Sequence, residues 1–427
     1  MKTQKRRWFC SGLLIFLFSF NVTTVFSQKM LIYMDLKQTD HLKAYGVAFW
    51  ALQRSIPVEW LLNYRGGSFM MDYYPAVERE LRLRGVAFSN ISGAQAAQIY
   101  AEMEQQNMDV VLLEKAPRIV IYTPPNKQVW DDAVTLALTY AEVPYKTIWD
   151  DGVLKGDLKK YDWLHLHHED FTGQYGKFYA NFRNASWYIE EVVKNEAMAK
   201  KVGYSKVSEE KKAVARAIKN YVVAGGFLFA MCSATDTIDL ALAAENTDIV
   251  PTVFDGDPVA PNALAMLDYS KTFAFENFTP EFNPLVYEHS DIDFPPSNMP
   301  RIRSADADFF TLFEFSAKYD PVPTMLTQNH VSVIKGFMGQ TTGFKKSLIK
   351  KSVTILAEME GTEEVKYLHG NLGRGTFTFY GGHDPEDYQH YVYDPPTQLS
   401  LHKNSPGYRL ILNNILFPAA KKKKRKT

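Results

Sequence analysis

The feature that most constrains this chain is a series of short strand-like runs, each followed by a segment of helical length. Arg118 to Tyr122 (RIVIY), Lys146 to Trp149 (KTIW), Asp162 to His167 (DWLHLH) and Phe227 to Met231 (FLFAM) are four of them. Runs this apolar have both faces buried, and the helical segments between them supply the cover. The pattern predicts an α/β fold, a parallel sheet with helices on both faces. In such sheets ligands sit beyond the carboxyl ends of the strands, so the residues just after each run are the place to look for chemistry.

Around that centre the chain divides into four parts. Residues 1–27 read as a secretory signal peptide: Lys2, Lys5, Arg6 and Arg7 precede the apolar run Gly12 to Phe20, and Val25-Phe26-Ser27 is an acceptable cleavage triplet. The apolar run is short and gives way to Asn21, Thr23 and Thr24, which favours cleavage over a retained anchor. The expected product is exported, to the periplasm or the cell exterior, with no stable membrane span. Residues 28–116 read as an N-terminal βαβ extension of the same sheet, with a strand at Met30 to Met34, a helix at Thr39 to Arg54 and a strand at Val58 to Leu62. Residues 117–420 are the main α/β domain, with further strands expected at Phe310 to Phe315, Thr324 to Thr327, Ser352 to Ala357 and Thr376 to Tyr380, and a closing helix at Tyr408 to Phe417. Residues 421–427 (KKKKRKT) are a basic tail, read as a solvated end.

The charge balance excludes one function class. The chain carries 48 basic and 48 acidic residues, and loss of the signal segment removes four basic ones, so nothing suggests a nucleic-acid binder. There is no Walker A sequence and no GxGxxG after a strand, which leaves nucleotide binding without support. Asn63 to Ser68 reads as a turn with some capacity to hold an anion, and Asp255-Gly256-Asp257 and Asp291-Ile292-Asp293 lack the spacing of a calcium loop.

Three reactive groups follow expected strands. Cys232, with Ser233 behind it, follows FLFAM. It is the one cysteine left once Cys10 departs with the signal segment, so no internal disulfide can form. A cysteine on a sharp strand-to-helix turn is exposed as a nucleophile, the next backbone N–H helps to hold an oxyanion, and the helix N-terminus lowers the thiol pKa. The competing reading is a small buried hydrophobe. The second group is His165, His167, His168, Glu169 and Asp170; strand alternation puts His165 and His167 on one face. The third is His383, Asp384 and Glu386, an imidazole with carboxylates close enough to orient it as a general base. His167, His168, Glu169, Asp170, His383 and Asp384 also offer imidazole and oxygen ligands to a metal ion, though without HExxH or CxxC spacing. No cofactor other than a metal ion is indicated.

Two resemblances add to this. Gly225-Gly226-Phe227 to Cys232 resembles the elbow strand of the class I glutamine amidotransferase-like superfamily, a flavodoxin-like three-layer fold. Gly373 to His383, followed by Tyr408 to Ala420, resembles the closing segment of its trehalose-utilisation (ThuA-like) branch, as does Phe310 to Leu326. The whole chain is similar to exported bacterial proteins named asparagine synthetase B, through stretches such as VEWLLNYRGGSF, DWLHLHHEDFTGQYGKFYA, KGFMGQTT and FYGGHDPEDYQH. True asparagine synthetases carry a cysteine directly after the initiator Met and an SGGxDS loop for ATP. Here residue 2 is Lys and no such loop occurs, so ATP-dependent asparagine synthesis is rejected.

What the first resemblance implies is a nucleophile at Cys232 and a base at His383. The family's acid lies two residues beyond the histidine, where this chain has Pro385 between Asp384 and Glu386. Its oxyanion glycines are replaced by His168-Glu169-Asp170, which argues against ordinary glutamine hydrolysis. The expectation is therefore a hydrolase-like enzyme using a Cys-His site on an amide or ester of a small-molecule or carbohydrate substrate. The alternatives are a non-catalytic carbohydrate- or metal-binding protein and a metal-dependent hydrolase built on His168 and His383.

Overall fold

The computed structural model describes residues 28–125, 128–297, 305–319, 327–389 and 391–420. The expected signal segment, the basic tail and all but Thr327 of the strand expected at Thr324 to Thr327 lie outside those residues. The strands are β1 (Lys29–Ile32), β2 (Val58–Leu62), β3 (Ser68–Asp72), β4 (Phe88–Ile91), β5 (Asp109–Leu113), β6 (Ile119–Tyr122), β7 (Lys146–Ile148) and β8 (Trp163–Leu166). They continue with β9 (Phe227–Met231), β10 (Phe309–Leu312), β11 (Val333–Lys335), β12 (Phe344–Lys345), β13 (Thr354–Glu358), β14 (Glu364–Leu372) and β15 (Gly375–Tyr380).

The central strands pair in parallel in the order β7-β6-β8-β9-β15. Their residues divide by alternation between two cores. Ile119, Ile121, Phe227, Phe229 and Met231 face the helices Ala133–Tyr140 and Pro406–Leu416. Val120, Tyr122, Leu164, Leu228 and Ala230 face the helices Val207–Val223 and Ala234–Ala243. That double burial is why β6 and β9 are apolar throughout.

The sheet is mixed, which corrects the all-parallel expectation. Beyond β15 it continues through β14, β13, β10 and β11, all antiparallel, and β12 pairs with β14. The cause is local. Only Gly373 and Arg374 separate β14 from β15, and a connection that short reverses the chain, whereas a parallel return needs a crossover. Gly373 takes φ 61, and a Cβ there would meet the carbonyl of Val223.

The N-terminal unit also departs from expectation. Residues 29–113 form their own antiparallel sheet, β4-β1-β3-β2-β5, and do not extend the larger one. The turn after β2, with Asn63, Arg65, Gly66 and Gly67 all at positive φ, folds β3 back as a hairpin strand that inserts between β1 and β2. The result is a split βαβ arrangement. That turn is no anion cradle: the Asn63 N–H donates to Gln328 Oε1 (2.7 Å), and the Gly67 N–H is spent on the Tyr64 carbonyl.

The two sheets are joined through one hydrophobic core. The helix His41–Gln53 packs between the small sheet and the helices Ala133–Tyr140 and Pro406–Leu416. At this junction Arg409, fully buried, donates to the carbonyls of Met34 (2.8 Å) and Gly66 and to the hydroxyl of Tyr45 (2.9 Å). His330 and His41 stack beside it with ring centroids 4.2 Å apart.

A buried histidine in β14 gives a first prediction. His369 packs inside the sheet with Nδ1 3.0 Å from Thr378 Oγ1, and burial pushes its pKa down to about 3. A folded value below the unfolded one means a contribution present above about pH 6.5 and lost as pH falls towards 3. The His369→Gln variant is expected to lose about 2 kcal/mol less stability than the parent between pH 7 and pH 5, measured by urea unfolding. Equal losses in the two proteins would show that His369 already takes up its proton in the folded state.

Candidate functional site

Cys232 sits where β9 ends and the helix Ala234–Ala243 begins, with φ at +50. A left-handed backbone at a non-glycine residue costs roughly 1–2 kcal/mol, and such strain collects at functional positions. Small neighbours make the elbow possible: Ala230 and Ala234 are fully buried on either side. The turn is tied down by Thr235, whose N–H and hydroxyl both donate to the Cys232 carbonyl, the latter at 2.6 Å. Cys232→Gly is expected to be more stable than Cys232→Ala by about 1 kcal/mol, the reverse of the usual order, because glycine takes positive φ without cost. Urea midpoints of the two variants check this, and an alanine variant at least as stable as the glycine one would remove the strain argument.

The thiol differs from expectation. It is buried, and burial pushes its pKa up to about 11; the N–H groups of Thr341, Gln340 and Ser233 pull the other way without prevailing. The resting group is therefore a protonated thiol rather than the thiolate expected at a helix N-terminus. Those N–H groups nevertheless converge on the sulfur, with Gln340 N donating to Sγ at 3.3 Å. The loop that carries Gln340 is anchored from both sides: Gln340 Nε2 donates to the Gly176 and Tyr287 carbonyls, and Thr341 Oγ1 to Asp236 Oδ1.

The histidines gather at the ends of β8 and β15. His167 and His383 have ring centroids 4.4 Å apart, His167 and His168 5.0 Å, and His168 and His383 5.8 Å. His165 and His167 share a face, as alternation requires, and both point at Asp132: Oδ2 lies 3.2 Å from His165 Nε2 and 3.3 Å from His167 Nδ1. Burial favours the neutral acid at Asp132, but the two facing imidazoles hold it well below the usual carboxylate range. His165 Nδ1 faces the Phe229 carbonyl at 3.1 Å, so this nitrogen carries the hydrogen. Burial, with His167 and His383 beside it, keeps His168 well below the usual imidazole pKa.

Cys232, His168 and His383 line one cavity of about 230 Å³. Trp130, Phe178, Tyr287 and Tyr391 give it an aromatic wall, and Gln340 and Gln389 supply amides. It lies beyond the carboxyl ends of β6, β8, β9 and β15, in the crevice where the strand order reverses between β6 and β8.

The remaining expected site residues point elsewhere. Glu386 Oε2 sits 3.0 Å from His402 Nδ1. Asp384 accepts from the Tyr408 hydroxyl (2.7 Å) and the Glu386 N–H (2.8 Å). The acid beside His383 is instead Asp131, whose Oδ1 lies 3.8 Å from Nε2. Asp170 organises its own loop, accepting from Thr172, Gln174 and Gly176 N–H groups, with His289 3.4 Å away. Its burial is outweighed by His289, so its pKa falls below the ordinary range. Glu169 accepts from the His167 N–H (2.8 Å), and burial pushes its pKa up to about 8. Ser233 keeps its N–H towards the sulfur, while its hydroxyl is buried with no hydrogen-bond partner. Asp255 and Asp257 both pair with Lys206, Asp291 pairs with Lys345, and Asp293 accepts from the Thr342 N–H.

No family model and no curated protein matches the chain. The solved structures that align with it include the cytoplasmic proteins STM3548 of Salmonella typhimurium and STM1381 of Salmonella typhimurium LT2. Each covers 71% of this chain and 100% of its own length at 10% identity, with TM-scores of 0.35 and 0.34. A likeness of that degree carries no functional argument.

Trp130, Asp131, Asp132 and Gln340 were not among the sequence-derived site residues. The two aspartates stand at the start of the helix Ala133–Tyr140, and Asp132 caps it, accepting from Thr135 N at 2.8 Å. The rule that ligands sit beyond strand ends, applied to β6 as to the others, would have picked out all three residues that follow it. Gln340 follows no apolar run and left no such signal.

Proposed function

We propose that the cavity is the site of an exported, thiol-dependent hydrolase of the class I glutamine amidotransferase-like kind. The observation that carries the reading is Cys232, held at positive φ on a strand-to-helix elbow and sharing its cavity with His383. The parallel order β7-β6-β8-β9-β15 supports it, because numbered along the chain it is the 2-1-3-4-5 of flavodoxin-like sheets. Cys232 Sγ attacks the carbonyl carbon of an amide or ester, and its proton passes to the imidazole of His383. The Ser233 and Gln340 N–H groups hold the oxyanion, the leaving group departs with that proton, and water then cleaves the thioester. The aromatic wall favours a carbohydrate-linked substrate, since sugar C–H faces stack on such rings, and a ThuA-like relationship leans the same way.

A non-catalytic carbohydrate-binding protein is the second reading, favoured by the same wall and by the protonated thiol. The experiment is a burst assay with p-nitrophenyl esters alongside iodoacetamide labelling of the folded chain without residues 1–27. The enzyme reading expects one equivalent of p-nitrophenol released fast, none in Cys232→Ser, and a rate lowered about 100-fold or more in His383→Ala. If Cys232 resists both reagents until the protein unfolds, the hydrolase reading falls and sugar binding stands.

A further inference from the structure

We propose that His167, His168 and His383 form a binding site for a divalent transition-metal ion of the zinc class, open to the cavity. This goes beyond the hydrolase reading and requires nothing of Cys232. One nitrogen from each ring lies within 4.8 Å of the others, close enough for small side-chain adjustments to bring all three onto one ion.

Three further observations point to an ion rather than to a self-contained polar cluster. The fully buried His167 has Nδ1 within ion-pair distance of Asp132 (3.3 Å), and neither ring nitrogen, Nε2 included, has a hydrogen-bond partner. His168 Nδ1 is likewise buried and unpartnered. An orphaned polar group of this kind costs about 1–3 kcal/mol, and an imidazole nitrogen bound to a metal does not bear that cost. Next, Asp132 stands where an outer-shell carboxylate belongs: it orients a ligand imidazole through its other nitrogen and is itself fixed by Thr135 N and His165. Lastly, the ligand set is incomplete in the way of a reactive site. Three imidazoles leave one tetrahedral position, and His168 and His383 line the cavity from which a water or substrate oxygen would fill it.

The donor set selects the metal class. Imidazoles without thiolate suit zinc, cobalt, nickel or copper rather than calcium or magnesium. Cys232 belongs to neither buried cluster, His167–His168–His383 or Asp132–His165–His167, so its sulfur is outside the ligand set. An ion bound here would occupy His383, and its positive charge would then favour the Cys232 thiolate in place of a proton acceptor.

The test uses the chain without residues 1–27, stripped with a chelator and titrated with zinc and, separately, with cobalt. One equivalent of either is expected, with visible absorption of a tetrahedral cobalt site and a rise in melting temperature on adding zinc. His168→Gln, at the cavity wall, and His383→Gln are expected to abolish the cobalt spectrum. Asp132→Asn keeps the helix cap and should weaken zinc about 10- to 100-fold. Cys232→Ser should keep both stoichiometry and affinity. Absence of a stoichiometric ion in the folded parent protein, or its loss in Cys232→Ser, would overturn the assignment. The burst assay is read on the metal-free protein, where no ion occupies His383, so the two proposals fail separately.

Discussion

Replacing Arg409 with Met is expected to destabilise the protein by about 3 kcal/mol or more. The guanidinium is fully buried, and its hydrogen-bond partners are the Met34 and Gly66 carbonyls, the Tyr45 hydroxyl and a ring nitrogen of His330. None of these is a carboxylate. Removal of the side chain therefore strands acceptors rather than a counter-charge, and each stranded acceptor costs about 1–3 kcal/mol. Met fills a similar volume, so cavity formation adds little. Arg409→Lys should recover less than half of the loss, because an ammonium cannot reach carbonyls on two sides of the guanidinium plane at once. Met34, Tyr45 and Gly66 belong to the N-terminal unit and Arg409 to the closing helix, so the loss should appear as one cooperative unfolding transition at a lower urea midpoint. A change below about 1 kcal/mol would mean that water satisfies those carbonyls.

The second large effect lies on the opposite face of the sheet. Lys211 Nζ donates to Asp150 Oδ2 at 2.6 Å and to the Tyr122 hydroxyl at 3.0 Å, with Asp150 fully buried. The Tyr122 hydroxyl also donates to Asp150 Oδ1. Glu210 lies close by, and its burial pushes its pKa up to about 8. Lys211→Met leaves an anionic carboxylate buried without its cation, and about 3–5 kcal/mol should be lost. The double variant Lys211→Met/Asp150→Leu should recover most of this, since a buried pair replaced whole by apolar groups is often neutral. Thermal or urea unfolding of the four proteins in the cycle gives the coupling directly. If the double variant is less stable than Lys211→Met alone, the pair contributes net stability of its own.

The parallel centre of the sheet was legible in the sequence because β6 and β9 are buried on both faces and lack polar interruption, and because β8 and β15 keep apolar residues on either side of His165 and Thr378. Most of the antiparallel half was not. β14 carries Lys366 and His369 as buried residues, which hydropathy reads as surface. Lys366 finds its partners outside its own hairpin, Nζ donating to the carbonyls of Thr342 (2.5 Å) and Phe337 (3.2 Å), while His369 meets Thr378 on the neighbouring strand β15. The site divides in the same way. Cys232, His168 and His383 follow recognisable strands and do meet in one cavity. Glu386 and Asp384 stood near His383 in sequence, but the turn after β15 sends them to His402 and Tyr408. Asp132 was hidden behind a second duty as a helix cap.

The register Met231↔Tyr380 has a consequence for how the molecule comes into being. Cys232 and His383 are brought together only when β15 docks beside β9, so each half of the site is delivered by a strand made far from the other on the ribosome. The intervening polypeptide must be complete before the two ends meet, and pairing over such sequence separation is slow. Until β15 arrives, β9 has an open hydrogen-bonding edge, an invitation to other strands. A nascent chain stalled between these strands would have its cysteine without its histidine and an open strand edge beside it, a species for quality control to remove.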